Sequence, residues 1–312
     1  MTDRVAYVNG KIVPENEASV SIRDAGFVYG YAVFDTARTF GGKLFRLEEH
    51  VDRLYQSLKY TRIDPGLSKA EMIAATENVV ATNLPHLREG EDYWVTQRIT
   101  SGIGALDGEA PQQQGATVVI ESVPLPLRAR ASLFKDGIKA VVSSRRKTAP
   151  DALSPNAKTN NYMNMMLAQK EVSEMSPGGW ALMLDQNGNI AEGAGCNFFM
   201  VRDGEVLTPT TEYILAGVSR QAVIELCQSN GIPVRETNIS IKDAMTADEG
   251  FFTSTSLCVC PVQSFNAVPI GDQAVPGPIT RKIMEAFSDL VDYDYVAQYL
   301  RFLGNSPAST GL

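Results

Sequence analysis

The spacing of apolar and polar residues predicts a mixed α/β structure for the first part of the chain. The stretch AYVNGKIV places Asn9-Gly10 between two apolar, strand-like runs, which is a strong signal for a two-residue β-hairpin. A second hairpin, FDTARTFGGKLFRL, turns at Gly41-Gly42. A helix near residues 68–83 and two strands, DYWVTQRIT and ATVVIESVP, follow.

The segment LEEHVDRLYQSLKY carries its apolar residues at helical spacing. The same spacing aligns His50, Arg53 and Ser57 along a different face of the predicted helix. A polar face of this kind is either solvated or functional.

In the second part of the chain, the pattern of apolar and polar residues also predicts alternating strands and helices. Its predicted elements are the strand IKAVVSS, a helix over about 161–175, the hairpins WALMLDQNGNIAEG and CNFFMVRDGEVL, the helix VSRQAVIELCQSN ending before Gly231, and the helix PGPITRKIMEAF.

The segment PLPLRAR, residues 124–130, is the best candidate for a linker because prolines interrupt both helices and strands. A chain of 312 residues also exceeds one typical hydrophobic core. We therefore predict a small N-terminal α/β domain over residues 1–123, an interdomain linker over 124–130 and a larger C-terminal domain over 131–312.

Composition and net charge limit the classes of molecule that this chain is expected to bind. The net charge is −8 and 44% of the residues are hydrophobic, without a sustained Lys/Arg run. Nucleic acids and anionic membrane surfaces require a clustered positive field, so we expect small-molecule substrates instead. The N-terminal MTDRVAYVNGKIV has no apolar signal region and no stretch is long enough for a spanning helix, so we expect a cytoplasmic protein.

Four cysteines in a chain of this length predict neither a disulfide framework nor a Cys-x-x-Cys metal site. Cys258 and Cys260 share one face of a predicted strand, but both histidines lie far away in sequence. We interpret the two thiols as buried apolar groups and assign no metal.

Lys158 is the one charged residue in the polar stretch SPNAKTNNYMNMM. An amine without neighbouring carboxylates, if partly buried, is neutral in part of its population and can attack an aldehyde. Tyr162 lies four residues later and can point toward the same space. Alternatively, Lys158 is an exposed loop lysine and Tyr162 a core residue.

Three further segments contain groups that suit a phosphorylated, ring-containing ligand. Glu192 stands in the glycine-flanked stretch AEGAG, where a carboxylate can pair with a protonated ring nitrogen. Gly217 leads into a helix starting near Val218-Ser219, and a helix start binds phosphate, although Ser219 can equally serve as a simple N-cap. The hydroxyl cluster TSTS, residues 253–256, follows an apolar strand, and Arg53 supplies a positive charge.

Together these groups are an amine, a ring-nitrogen carboxylate, a phenol and a phosphate site, which is what pyridoxal 5′-phosphate requires. Their order along the chain resembles the class IV (fold-type IV) pyridoxal-phosphate aminotransferases, including branched-chain amino acid aminotransferases and (R)-amine transaminases. The matching segments run from YVNGKIV through YGYAVFDTAR, FRLEEHVDRLYQS, AKTNNY, EGAGCNFF and ILAGVSRQ to TSTSLCVCPV.

The resemblance implies roles for single residues. Lys158 is expected to bond to the cofactor and carry the proton, Glu192 to pair with the pyridine nitrogen, and Tyr162 to donate to the phenolic oxygen. The phosphate ligands implied by the resemblance are Arg53, Val218, Ser219 and Thr255. It further implies a small α/β domain, a larger cofactor-binding domain built on a pseudo-barrel, and a homodimer whose partner completes the substrate pocket.

The predicted reaction moves an amino group from a hydrophobic, branched-chain-like L-amino acid to a 2-keto acid. The expected substrate pocket contains Tyr29, Phe34, Thr36, Arg38, Tyr93, Val95 and Ser256. Within it we predict an apolar wall of Phe34, Tyr93 and Val95, and either Arg38 or Arg98 as a carboxylate ligand, unless both arginines form surface ion pairs.

Two departures from branched-chain enzymes keep other substrates open, since Thr36 stands where those enzymes commonly have glycine and Val95 where many have arginine. The alternatives are an (R)-selective amine transaminase, then a D-amino acid aminotransferase or an aminodeoxychorismate lyase-like enzyme. The loop SGIGALDG, residues 101–108, lacks the arginine that D-amino acid enzymes of the family usually have there.

Overall fold

The structure is a computed structural model that describes residues 3–104, 115–272 and 274–303. The described chain forms two compact units. The first extends to Leu125 and also includes Ala157–Tyr162, while the second comprises Pro126–Asn156 and the chain from Met163 onward. Lys158 therefore belongs to the first unit although it lies in the second half of the sequence.

The first unit contains an antiparallel sheet of six described strands. Its strands and helices in chain order are β1 (Val5–Val8), β2 (Lys11–Pro14), α1 (Ala25–Tyr29), β3 (Ala32–Phe40), β4 (Lys43–Leu44), α2 (Leu47–Thr61), α3 (Lys69–Asn83), β5 (Tyr93–Thr100) and β6 (Thr117–Pro124). The strand order across the sheet is β2-β1-β6-β5-β3-β4.

Both predicted hairpins of this unit are confirmed. Asn9 and Gly10 join β1 to β2 with positive φ angles of 48° and 86°, the backbone conformation that an Asn-Gly hairpin turn favours. Gly41 and Gly42 join β3 to β4 in the same way. The hydrophobic core lies where the apolar faces of α2 and α3 cover one face of the sheet, leaving the other face without these helices.

The second unit contains a larger mixed sheet. Its elements in chain order are α4 (Leu127–Asp136), β7 (Ile138–Arg146), α5 (Met163–Met175), β8 (Gly179–Leu184), β9 (Ile190–Gly193), β10 (Asn197–Arg202), β11 (Glu205–Thr208), α6 (Val218–Ser229), β12 (Val234–Glu236), α7 (Ile241–Met245), β13 (Glu249–Ser254), β14 (Cys258–Phe265), β15 (Val268–Pro269), α8 (Pro278–Leu290) and α9 (Tyr295–Leu300).

This sheet closes on itself. The strands pair in the order β10-β13-β14-β7-β8-β9, and β9 then pairs back with β10 through Glu192 and Asn197. A ring of six strands of this kind is barrel-like and leaves no free edge along these strands. The strand pairing that closes the ring therefore includes the predicted ring-nitrogen ligand, Glu192.

The segment that we predicted as a linker is partly regular. Strand β6 ends at Pro124 and α4 begins at Leu127, so residues 127–130 are helical. Pro126 precedes the helix, where its missing N–H costs no helical hydrogen bond. The domain boundaries themselves stay a prediction.

The four thiols are buried, and none of them forms a disulfide among the described residues. Burial raises the pKa of Cys196 to about 12 and that of Cys227 to about 11, so these side chains behave as apolar groups. The interpretation of Cys258 and Cys260 as buried thiols is confirmed. Within the described ranges, no helix is both long and apolar enough to span a membrane.

Candidate active site

The backbone around Lys158 extends the sheet of the first unit. The carbonyl of Lys158 accepts from Phe34 N at 2.9 Å, and Asn160 N donates to the carbonyl of Ala32 at 2.9 Å. On the other side, Lys158 N donates to the hydroxyl of Ser57 on α2 at 3.0 Å. The predicted loop is therefore held like a short strand beside β3, which fixes the backbone from which the lysine projects.

The side chain of Lys158 lies against two aromatic rings. Its Nζ donates to Tyr162 Oη at 3.1 Å and lies 4.5 Å from the centroid of the Phe34 ring. The Phe34 and Tyr162 rings are 5.3 Å apart and tilted by 59°. Within the described ranges, no carboxylate lies at ion-pair distance from this amine, as the sequence predicted. An amine in such surroundings is a candidate nucleophile.

The polar face of α2 is buried rather than solvated. Both oxygens of Asp35 accept from the Arg53 guanidinium at 2.8 Å, and Asp35 Oδ1 lies 2.7 Å from His50 Nδ1. Burial alone raises the pKa of Asp35, but Arg53 and His50 outweigh it and hold that pKa well below its ordinary value. Burial lowers the pKa of His50, and Asp35 only partly opposes this effect.

This network fixes the orientation of Arg53, the predicted phosphate ligand. A bidentate carboxylate holds a guanidinium in one plane, and here it uses Nε and Nη2. The sequence analysis did not single out Asp35. Asp35 follows Phe34 in β3 and so lies on the opposite face of the strand, but a partner on α2 was not apparent from the sequence.

The predicted apolar wall of Phe34, Tyr93 and Val95 is wrong. In antiparallel strands, directly opposed residues point to the same face, and Phe34 stands opposite Arg98 while Val95 stands opposite Ala37. Tyr93 and Val95 therefore lie on the helix-covered face, where they pack with Val80. On the Phe34 face, β5 presents Trp94, Thr96 and Arg98 instead.

Three other predicted pocket residues have distinct surroundings. Thr36 lies on the Phe34 face, and its hydroxyl is 3.1 Å from that of Thr96. Arg38 is only 1% exposed, donates from Nε to the carbonyl of Thr39 and stacks on Phe40. Tyr29, on α1, is 78% exposed in the single chain.

In the second unit, Glu192 is a buried carboxylate with three donors. Lys147 Nζ donates to Oε1 at 2.7 Å, while Asn197 Nδ2 and Leu215 N each donate to Oε2 at 3.1 Å. A carboxylate has about four acceptor positions, so one remains for a further N–H. Neither Lys147 nor Asn197 was singled out from the sequence, because their contacts depend on how β7, β8, β9 and β10 pair in the sheet.

The start of α6 lacks a side-chain cap. Its N-cap residue is Gly217, and Ser219 lies inside the first turn, so the capping interpretation of Ser219 is wrong. A Cβ on Gly217 would overlap Oδ1 of Asn197, which explains why glycine stands here. The first N–H groups of this helix, beginning at Val218 and the buried Ser219, therefore have the geometry of an anion site.

The hydroxyl cluster lies in the turn between β13 and β14. The hydroxyl of Ser256, which was predicted in the substrate pocket, accepts a short hydrogen bond from Arg130 and is 2% exposed. Thr255 lies in the same turn. The Oγ1 of Thr253 is buried and has no hydrogen-bond partner in the described ranges, an arrangement that suits a ligand acceptor.

The chain is similar to known proteins over nearly its whole length. A sequence model of the family described as "Amino-transferase class IV" matches residues 32–265. A protein of Methanocaldococcus jannaschii, provisionally named a branched-chain-amino-acid aminotransferase, is 37% identical over 286 residues, covering 91% of this chain and 95% of that protein.

Solved structures of branched-chain amino acid aminotransferases are also similar to this chain. The Escherichia coli branched-chain amino acid aminotransferase has a TM-score of 0.84 at 31% identity, with 93% of this chain and 95% of that chain covered. The branched-chain amino acid aminotransferase of Thermobaculum terrenum, solved in its PLP-form, has a TM-score of 0.81 at 28% identity, with 96% and 97% covered.

Proposed function

The chain belongs to the class IV aminotransferases and is a transaminase, and we propose that it moves an amino group from a hydrophobic, branched-chain-like L-amino acid to a 2-keto acid. Class IV aminotransferases depend on pyridoxal phosphate, and pyridoxal 5′-phosphate is the cofactor proposed here. The observation that carries the proposal is Lys158 Nζ, held by Tyr162 Oη over the Phe34 ring. The names of the Methanocaldococcus and Escherichia proteins support the branched-chain class.

The bound cofactor supplies an electron sink for the substrate carbon. Lys158 would bond to the cofactor and carry the proton, since no carboxylate of the described residues lies at ion-pair distance from its amine. Tyr162 holds that amine through its hydroxyl, and its ring packs against that of Phe34. The backbone hydrogen bonds of Lys158 to β3 and α2 keep the amine in one place.

In the second unit, Glu192 would pair with the ring nitrogen of the cofactor through its remaining acceptor position. The residues present fit this role, because three donors hold the Glu192 carboxyl group in one orientation. The uncapped start of α6, with Val218 and Ser219, would hold the phosphate, and the hydroxyl of Thr255 is proposed to assist. In the first unit, Arg53 is the proposed cationic ligand.

The substrate side chain is proposed to lie on the Phe34 face of the first unit's sheet. Phe34 and Trp94 give apolar area, and Thr36 and Thr96 satisfy each other's hydroxyls, which lowers the cost of apolar contact. A hydrophobic side chain gains about 25 cal/mol for each Å² of apolar surface removed from water.

A second copy of this chain is the proposed partner. The segment 20–31 exposes a run of large apolar side chains, which we call the 20–31 surface: Val20, Ile22, Phe27, Val28 and Tyr29. Monomeric soluble proteins rarely expose contiguous apolar patches of this kind. Tyr29 is part of this surface, so a second copy docked there would meet a residue that we predict in the substrate pocket.

The test is a set of half-reactions with the pyridoxal form. L-leucine, D-alanine and (R)-1-phenylethylamine are each mixed with the enzyme, and the change in visible absorbance is timed. We expect L-leucine to react fastest. A much faster reaction with the chiral amine contradicts the L-amino acid assignment and favours an (R)-amine transaminase.

A further inference from the structure

A positively charged side chain lies on the buried face of α4. The buried residues of this helix are Leu127, Arg130, Ala131 and Phe134, which recur at helical spacing along one face. Arg130 is 9% exposed, and burial lowers the pKa of its guanidinium. Arginine is seldom buried to this extent, and an apolar side chain would fill the same position at a lower cost in desolvation. Packing alone therefore does not explain an arginine here.

The Arg130 guanidinium contacts two other elements of the second unit. Its Nη1 donates a hydrogen bond to the hydroxyl of Ser256, in the turn between β13 and β14. Its Cζ lies 5.6 Å from the centroid of the Trp180 ring on β8, within range of a cation–π contact. The guanidinium thus links α4 to the turn that follows β13.

Ser256 is held a second time, through its backbone. Tyr299 Oη, on α9, donates to the carbonyl of Ser256 at 2.6 Å. The Tyr299 ring stacks on Phe134 of α4, with the ring centroids 4.2 Å apart. The side chain and the carbonyl of Ser256 are therefore fixed by two helices that lie outside the β13–β14 hairpin.

The turn that these contacts hold has an uncommon backbone conformation. Ser254 and Cys258 pair across it, and Cys258 has a φ of 56°, a left-handed conformation that a residue with a Cβ adopts at a cost. Such a conformation persists where the surrounding structure fixes it. Thr255, the predicted phosphate ligand, directly precedes Ser256 in this turn. The contacts to Ser256 therefore fix the backbone next to Thr255.

We propose that Arg130 is a positioning residue for the cofactor's phosphate: its hydrogen bond to Ser256 holds the β13–β14 turn in the conformation in which Thr255 binds that phosphate. This inference rests on the proposed cofactor site. Arg130 acts through Ser256 rather than by touching the phosphate, so its loss should loosen the turn and leave the rest of the site in place. Tyr299 supports the same turn through the carbonyl of Ser256.

The test compares two ligands that differ at the phosphate. Pyridoxal 5′-phosphate and 5′-deoxypyridoxal share the ring and the aldehyde, but only the first carries a phosphate. Titration of the full-length protein, followed by visible absorbance, gives the dissociation constant of each ligand. We expect Arg130→Met to weaken pyridoxal 5′-phosphate about 10-fold, the loss of about one hydrogen bond to a charged group, and to leave 5′-deoxypyridoxal unchanged.

Three further variants separate positioning from a general structural role. Arg130→Lys keeps a cation with hydrogen-bond donors and should restore most of the affinity for pyridoxal 5′-phosphate. Tyr299→Phe keeps the stacked ring and removes the donor to the Ser256 carbonyl, so it should also weaken only the phosphorylated ligand. Arg128→Met, at an exposed arginine of the same helix, is the matched control and should change neither constant.

Equal weakening of both ligands by Arg130→Met, no change in either, or the same loss in Arg128→Met overturns the proposal. Failure of Arg130→Lys to restore any affinity also overturns it. If Arg130→Met does not fold, Arg130→Gln, a polar and uncharged replacement, is judged by the same ratio of dissociation constants.

The wild type separates this proposal from the proposed function. A wild type that binds both ligands equally well contradicts the proposed phosphate site, and the role of Arg130 falls with it. A wild type that prefers pyridoxal 5′-phosphate, with the same preference in Arg130→Met, contradicts only the role of Arg130. If the wild type has this preference but transfers no amino group from L-leucine, the proposed substrate is contradicted, while the ratio still decides the role of Arg130.

Discussion

The buried pair of Lys147 and Glu192 is the strongest electrostatic feature of the second unit. Both side chains are less than one-tenth exposed, and their charged atoms are 2.7 Å apart. Breaking one partner of such a pair leaves an uncompensated buried charge, whereas removing both leaves none. Asn197 also donates to the carboxylate, and it has room to do so because Gly217 has no side chain.

The first prediction follows from this pair. Lys147→Met should lower the free energy of unfolding of the cofactor-free protein by about 3–5 kcal/mol. The double variant Lys147→Met/Glu192→Gln should recover much of that loss, because no unpaired charge remains. Urea unfolding of the wild type, both single variants and the double variant measures the coupling. Additive losses in this cycle contradict a direct ion pair.

At the scale of the element, α2 and β3 are joined by the network of Asp35, His50 and Arg53. The helix supplies a cation and an imidazole, and the strand supplies the carboxylate that holds both. Because the pKa of His50 is lowered from its ordinary value of 6.5, the folded protein holds this imidazole neutral. At pH values between the folded-state and unfolded-state pKa, the His50 imidazole therefore binds a proton in the unfolded chain but not in the folded protein.

The second prediction concerns pH. A lowered folded-state pKa means that the stability from His50 is present above the unfolded pKa and is lost as pH falls toward the folded pKa. Stability of the cofactor-free wild type should therefore fall between about pH 7 and 5, by about 1.4 kcal/mol for each unit of pKa depression.

The variant His50→Gln should flatten this pH dependence. His86 is the other histidine of the sequence and is exposed, so His86→Gln is the matched control and should keep the wild-type slope. Urea unfolding at a series of pH values gives the slope for each protein. An unchanged slope in His50→Gln would show that His50 does not titrate as the structure indicates.

Among the individual elements, some were predictable from the sequence and others were not. Hairpins at Asn9-Gly10 and Gly41-Gly42 and the helix α2 were predictable, since each follows from local turn chemistry or apolar spacing. The position of Val95 relative to Phe34 was not predictable. The alternation of side chains along a strand decides which residues of that strand share a face, but it does not decide which face the helices cover. That choice depends on the pairing of β5 with β3.

At the scale of the whole molecule, the predicted fold class is confirmed: the structure matches a fold-type IV enzyme, with mixed helices and sheets and a ring of strands. Ordered motifs made this predictable. The grouping of Ala157–Tyr162 with the first unit was not, because the backbone hydrogen bonds that join this segment to β3 link residues far apart in sequence. Lys147 was missed for a related reason, since the pairing of β7 with β8 and of β8 with β9 brings it to Glu192.

The third prediction concerns the 20–31 surface. Phe27→Asp should convert the proposed homodimer to monomer, because a charge replaces a large side chain that is 74% exposed in the single chain. Sedimentation at several concentrations measures the change. Leu290→Asp, at an exposed apolar residue of α8, is the control and should stay dimeric. A Phe27→Asp protein that sediments like wild type contradicts the proposed interface.

The most direct test of the central claim is to locate the covalent bond between protein and cofactor. Borohydride reduction of the loaded enzyme followed by peptide mapping should find the phosphopyridoxyl group on Lys158, and a folded Lys158→Ala variant should carry none. Lys147 is the informative competitor, since it is a buried lysine whose Nζ already contacts Glu192 Oε1 at 2.7 Å. A label on Lys147, or on any other lysine of either protein, would contradict the assignment.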